Sequence, residues 1–231
     1  MTTTQKLNEL AEIAGGFIHE VKNHISTLGL NLTLLAEDFE NPQTQRERKA
    51  LERIQRLQNE CDRLVVVSND FLRFARAENL QLHSADLNDV IGDMVDFLSP
   101  TAKTKNISIT WIPGGSLPPV MLDQDLFKQA VLNLLINAEQ AMPDGGEIVL
   151  QTSRSAASVR LDVIDTGAGI PRDVLPKIFT PFHTTKPGGT GLGLPTMRKI
   201  VQAHGGAVEV QSDEGHGTKF SIHLPVPAVG D

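Results

Sequence analysis

The chain has 231 residues, 40% of them hydrophobic, a net charge of −7, a single cysteine (Cys61) and no run approaching the roughly 18 apolar residues that a membrane helix needs. Residues 1–84 carry 10 Lys/Arg against 12 Asp/Glu and residues 85–231 carry 11 against 16, so neither half offers the basic footprint of a nucleic-acid or anionic-membrane surface, and 4% aromatic content leaves little for base stacking. The opening MTTTQKLNEL lacks the basic start and apolar core of a signal peptide, and one cysteine builds no intrachain disulfide framework, so a reducing cytoplasm is the expected location.

From Leu7 to Phe39 apolar residues recur at steps of three and four: Leu7, Leu10, Ala14, Phe17, Val21, His24/Ile25, Leu28, Leu32, Leu35, Phe39. A second stripe runs Ala50, Ile54, Leu57, Cys61, Leu64, Ser68, Phe71, Ala75. Steps averaging about 3.5 hold one seam along a helix, and Asn41-Pro42 interrupts the pattern. The expectation is an antiparallel helical hairpin over residues 1–84, each arm roughly 30–35 residues. Two helices cannot bury both apolar faces alone, so the hairpin is expected to pair with a second copy as a dimeric four-helix bundle. From residue 85 the texture is mixed. Asp86 or Asn88 caps a helix to about Lys105, and Ile107, Ile109 and Trp111 alternate as a strand. A helix covers 123–141, strands cover 147–153, 159–164, 207–211 and 219–224, and a further helix covers 193–204. This order predicts an α+β protein whose second domain, 85–231, is an α/β sandwich with helices on one face of a mixed sheet.

Four local patterns carry chemistry. Gly189, Gly191 and Gly193 alternate just before a helix, where backbone N–H groups and the helix dipole suit an anion; a plain flexible loop explains them equally. Asp165-Thr-Gly167-Ala-Gly169 closes an apolar strand, as an acceptor for an exocyclic amine beside a backbone open to a flat ring, or as an Asx turn. Asn133 and Asn137, four apart on one helix face, are amide ligands for a phosphate-bound Mg²⁺, or surface residues. Residues 178–186, Ile-Phe-Thr-Pro-Phe-His-Thr-Thr-Lys, set hydroxyls and a cation beside the glycine run; read alone, they are a loop anchored by Phe179 and Phe182.

In that order and spacing the four resemble the N, G1, F and G2 boxes of the gyrase/chaperone/histidine-kinase/mismatch-repair ATPase superfamily, and Gly215-His-Gly-Thr-Lys-Phe220 matches its close. The resemblance covers about 86–225. It implies the Bergerat fold, ATP with Mg²⁺, Asp165 with Gly167 and Gly169 at adenine, Asn137 on the metal, Thr218 near the adenine pocket, and residues 169–193 as a lid over the triphosphate. Hydrolytic branches carry Glu where this chain has Asn133, an amide and a poor base, so the γ-phosphate is expected to go to another acceptor.

That acceptor is suggested by Phe17-Ile-His-Glu-Val-Lys-Asn-His-Ile25, which resembles the H box of sensor histidine kinases, with His24 where a proline is usual. His19 lies about 200° round the helix from Phe17 and from Val21, so it is expected to face away from the seam. A neutral imidazole is a nucleophile near pH 7; Glu20 would orient it or take its proton, Lys22 would steady the transferring phosphoryl, and Asn23 would orient a water for dephosphorylation. The run Pro181 to Leu194 looks most like nitrogen-regulator kinases, which places Thr184, Thr185 and Lys186 at the phosphates. The expected function is ATP-dependent autophosphorylation of His19 and transfer to an aspartate of a response-regulator receiver, the alternative being an ATPase of the superfamily or a silent scaffold. No sensor domain is recognisable, so the input is expected from a missing region or another protein.

Overall fold

A computed structural model describes residues 3–76, 80–155, 157–186 and 188–226, without the side chains of residues 3–17, 19 and 76. It divides into two compact units: the helical hairpin together with Thr185–Thr190, and the described remainder of 80–184 and 191–226.

The hairpin consists of α1 (Thr3–Glu37) and α2 (Gln45–Arg76). Helix α2 starts on a capping box: Thr44 Oγ1 accepts from Glu47 N at 3.2 Å, and Glu47 Oε2 accepts from Thr44 N at 3.1 Å and from Gln43 N at 2.7 Å. Those backbone donors hold the Glu47 carboxyl below its ordinary pKa. Of the apolar stripes, Ile25 and Ile54 are buried and Val21, Leu32, Phe39 and Cys61 half-buried, and Leu51 and Val65, which lie outside the expected stripe, are half-buried with them. A Cβ on Gly29 would lie 3.9 Å from that of Cys61, which measures how closely the helices approach there. Four members stay outside: Leu28 is 58% exposed, Leu35 44%, Leu57 54% and Leu64 43%.

The second unit is an α/β sandwich. Its five-stranded sheet comprises β2 (Ile107–Ile112), β4 (Gly146–Arg154), β5 (Ser158–Asp165), β6 (Ala207–Ser212) and β7 (Thr218–Pro225), in the order β2-β4-β5-β7-β6. Only the β2–β4 pairing is parallel, which gives the mixed sheet expected. Ile148, Leu150, Val159, Leu161, Val163, Phe220, Ile222 and Leu224 form one face of it, buried against α3 (Leu87–Thr104), α4 (Gln124–Gln140) and α5 (Gly193–Ala203). Asp86 caps α3 by accepting from Asn88 N at 2.8 Å, and Asp123 caps α4 by accepting from Leu126 N at 3.1 Å. A short antiparallel ribbon of β1 (His83–Ala85) and β3 (Val120–Leu122) has no counterpart in the sequence reading. Three-residue strands leave no measurable alternation.

Candidate nucleotide site

The site is built from the ends of four elements of the second unit. At the C-terminal end of β5, Asp165 is 6% exposed, and its Oδ1 accepts from Gly167 N at 2.9 Å and from Thr218 N at 3.2 Å. The ladder sets Asp165 opposite Thr218, so a single carboxylate fixes both the turn after β5 and the start of β7. The Asx turn read as an alternative at Asp165 is therefore present, and it is the means by which the carboxylate is held. Ala168 N donates to Ala141 O at 3.0 Å, joining this turn to the C-terminal end of α4. Gly169 has φ +70°, and a Cβ there would lie 2.1 Å from Asp213 O, so any side chain would displace the hairpin between β6 and β7.

Ser212 closes the same corner and was not found from sequence. Its Oγ accepts from Ile170 N at 2.8 Å, lies 2.9 Å from Thr218 Oγ1 and donates to Gly217 O at 2.9 Å. A hydroxyl has one donor and two acceptor positions, so all three are used. One serine before Asp-Glu-Gly carries no signal; its role exists only once β6 and β7 pair.

Asn133 and Asn137 project from α4, four residues apart and half-buried. Asn133 Nδ2 donates to Gly193 O, the first residue of α5, at 3.1 Å. The expected lid, residues 169–193, contains η1 (Leu175–Lys177) and leads into α5. Phe179 anchors it, packed on the core with the Arg198 guanidinium 4.9 Å from its ring centroid. Phe182 departs from the expected burial: the residue is 59% exposed and its φ is +64°. The backbone explains this difference from expectation. Phe182 N donates to Gly191 O at 3.1 Å, and Gly191, at φ +67°, sits so close that a Cβ would lie 2.6 Å from Phe182 C. The two residues form a neck.

The second unit thus gathers Asn133, Asn137, Asp165, Gly167, Gly169, Gly191, Gly193 and Thr218, with Thr184 at its boundary. Thr185, Lys186 and Gly189 group with the hairpin. Helix α1 carries Glu20, Lys22 and Asn23, of which Glu20 and Asn23 are exposed and Lys22 is half-buried. His19 lies in the same helix, but its side chain is outside the described residues, and with it the expected outward orientation.

At the far end of the α4–α5 pair, His204 is buried and was likewise missed. Its Nδ1 lies 2.8 Å from Ile200 O and its Nε2 accepts from Asp123 N at 3.0 Å. Burial pushes the Asp123 carboxyl up, but backbone N–H groups of Gln81 and Leu126, with His204 nearby, outweigh it and hold the pKa below the ordinary aspartate value.

Among the described residues no helix is long and apolar enough to cross a membrane. Residues 122–228 match the family of histidine kinase-, DNA gyrase B- and HSP90-like ATPases. The chain is 36% identical over 226 residues to the sensor histidine kinase ZraS of Escherichia coli K12, covering 98% of this chain and 48% of that protein; it spans about half the length of that relative. It resembles full-length ShkA, solved in complex with AMPPNP, with a TM-score of 0.72 and 30% identity, over 95% of this chain and 47% of that one. It resembles the catalytic domain of the histidine kinase ThkA with a TM-score of 0.58 and 31% identity, over 64% of this chain and 97% of that one. ThkA in complex with the response regulator TrrA matches with a TM-score of 0.67 and 26% identity, over 96% of this chain and 64% of that one. With a helical hairpin ahead of a sandwich whose turn and strand ends converge on one buried aspartate, the chain belongs to the sensor histidine kinases of two-component systems.

Proposed function

We propose that this chain is the catalytic core of a histidine kinase that binds ATP, phosphorylates its own His19 and passes the phosphoryl group to an aspartate of a response-regulator receiver domain. The observation that carries the reading is the buried Asp165 carboxylate, held by Gly167 N and Thr218 N at the end of β5. A carboxylate fixed there would be an acceptor for the adenine amine, with Gly167 and Gly169 beside it. Asn137 would hold Mg²⁺, which when bound supplies positive charge to offset that of the triphosphate. The residue fit is good: an amide oxygen on α4, a glycine-lined turn and the uncapped start of α5, whose N–H groups favour an anion.

The chain's own residues do the rest. Thr184, Thr185 and Lys186 with Gly189, Gly191 and Gly193 bind and orient the phosphates and exclude water. His19 attacks the γ-phosphorus with its unprotonated nitrogen; the N–P bond forms as the bond to the bridging oxygen of ADP breaks, and Glu20 takes the proton from the other ring nitrogen. Lys22 steadies the charge on the moving phosphoryl, and Asn23, one turn on, orients a water for dephosphorylating the receiver. The amide at Asn133 cannot serve as the base that hydrolysis needs, so the phosphoryl is kept for His19. The receiver partner is supported by the ThkA–TrrA complex, and the nucleotide by ShkA with AMPPNP. Leu28, Leu35, Leu57 and Leu64, exposed in the single chain, support a homodimer formed through the hairpin. The substrates place this part of the protein in the cytoplasm.

The test is incubation with γ-labelled ATP. A label stable to base, labile to acid and absent from His19→Ala is expected; a label that persists in His19→Ala, or release of phosphate with no labelled protein, refutes the assignment.

A further inference from the structure

The contact between Asn133 and Gly193 lies at the mechanical root of the lid. Helices α4 and α5 are tied at both ends by polar side chains. At the C-terminal end of α5 the tie is His204, buried, with its Nδ1 on Ile200 O and its Nε2 accepting from Asp123 N, and with its ring edge-on to Phe127. That end is held by two hydrogen bonds and by packing.

The N-terminal end of α5 is held differently. Leu192 stands at the N-cap without a side-chain cap. Leu192 O accepts from Thr196 N at 2.9 Å and from Thr196 Oγ1 at 2.7 Å, both from inside the helix, and Pro195 brings no N–H. From outside, Asn133 Nδ2 reaches over from α4 to Gly193 O. Two residues upstream, no more than about 7 Å along the chain, Gly191 accepts from Phe182 N and closes the neck through which the lid enters and leaves. Fixing Gly193 therefore fixes Gly191, and with it the close approach that keeps Phe182 at φ +64°, a conformation that non-glycine residues rarely hold without such support.

We infer that Asn133 is the latch of the lid's C-terminal hinge, a positioning task distinct from any contact with phosphate or metal. The inference rests on reading residues 169–193 as the lid. The chemistry is specific to an amide: only a donor can hold a carbonyl, and a carboxylate of the same shape would set negative charge against Gly193 O. An amide at this position thus has a reason independent of suppressing hydrolysis.

Hydrogen exchange on the nucleotide-free chain tests this, comparing Asn133→Ala and the isosteric Asn133→Asp with the parent. Losing the latch should speed exchange at Thr196 and Met197, the first amides of α5 with helical acceptors, by about tenfold, the effect of one hydrogen bond. Exchange through Ile200–His204, held by its own tie, should not change. Unchanged exchange at Thr196 and Met197 in both variants overturns the inference even if nucleotide affinity is lost, because Asn133 would then act on nucleotide alone. Faster exchange spread over α4 and the sheet in both variants also overturns it, since a latch acts locally. Failure of the histidine phosphorylation assay would leave this result standing, so the two readings fall separately.

Discussion

Replacing Asp165 by Asn should separate nucleotide recognition from folding, because in the proposed site Oδ1 holds the turn and Oδ2 receives the adenine amine. Oδ1 accepts from Gly167 N and Thr218 N in a setting only 6% exposed. An amide oxygen can accept the same two bonds, which then fixes the NH₂ group at the other position. The adenine amine would meet a donor where it needs an acceptor. A hydrogen bond to a charged acceptor contributes about 1.5–3 kcal/mol, so the Kd for ADP should rise by about 10- to 150-fold at about 1.4 kcal/mol per decade. Stability should fall by no more than about 1 kcal/mol. Asp165→Ala is the contrasting perturbation. It leaves two buried N–H groups unpaired, at about 1–3 kcal/mol each, and should lower thermal stability strongly as well as abolish binding. Titration calorimetry with ADP and melting by circular dichroism measure the two effects. An Asn variant that binds within threefold of the parent, or that melts as early as the Ala variant, refutes the assignment of Asp165.

Gly169→Ala should cost at least about 2 kcal/mol, from a positive φ and a Cβ 2.1 Å from Asp213 O; Gly193→Ala, with nothing within 4 Å of the added Cβ, should stabilise the free protein by up to about 1 kcal/mol, and denaturant unfolding compares them. Asp123 has a folded pKa below its unfolded value of about 3.9, so its stabilisation is present above that value and lost as pH falls through the folded pKa. Asp123→Asn, which keeps the cap but loses the bond from Gln81 N, should be less stable than the parent by about 1 kcal/mol at pH 7, with the gap closing below about pH 4 in urea titrations. The pair Leu57→Glu with Leu64→Glu removes two half-exposed leucines from each chain; at about 1 kcal/mol each and four per dimer, dimer dissociation should rise by about a thousandfold. Light scattering should then report a monomer with unchanged helix content.

The parts of this protein legible in the sequence are those that repeat or that sit close in the chain. The two helical stripes, the alternating strands and the helix from Asp123 are periodic patterns, and each appears within a few residues of its expected bounds. The Asp-x-Gly-x-Gly turn is local, and its Asx geometry follows from its own residues. The capping box of α2 is local in the same way, written in the sequence as Thr44-x-x-Glu47. Other features were not there to be read. Ser212 meets Ile170 across 42 residues, and His204 meets Asp123 across 81. Neither has a local pattern, because a hydroxyl or imidazole acquires its partner only when distant strands and helices dock. Phe182 differs for a related reason: aromatic residues usually pack inward, but here a neck closed by Gly191 sets the backbone, and the residue is 59% exposed.

The glycine motif itself joins two unlike requirements. Gly191 is glycine because the backbone demands it: φ is +67°, and Phe182 and His183 occupy the space a side chain would take. Gly193 meets neither condition, since it is the first residue of α5 and a Cβ there would touch nothing. Folding alone does not account for a glycine at 193. What remains is the approach of something absent from the free chain, and a phosphate lying against the first N–H groups of α5 is the occupant that both the helix dipole and the uncapped start favour. Gly193→Ala should therefore lose nucleotide affinity while gaining stability, and Gly191→Ala should lose both. A Gly193→Ala protein that binds ADP as well as the parent would show that the glycine leaves room for no ligand, and the phosphate site would have to lie elsewhere.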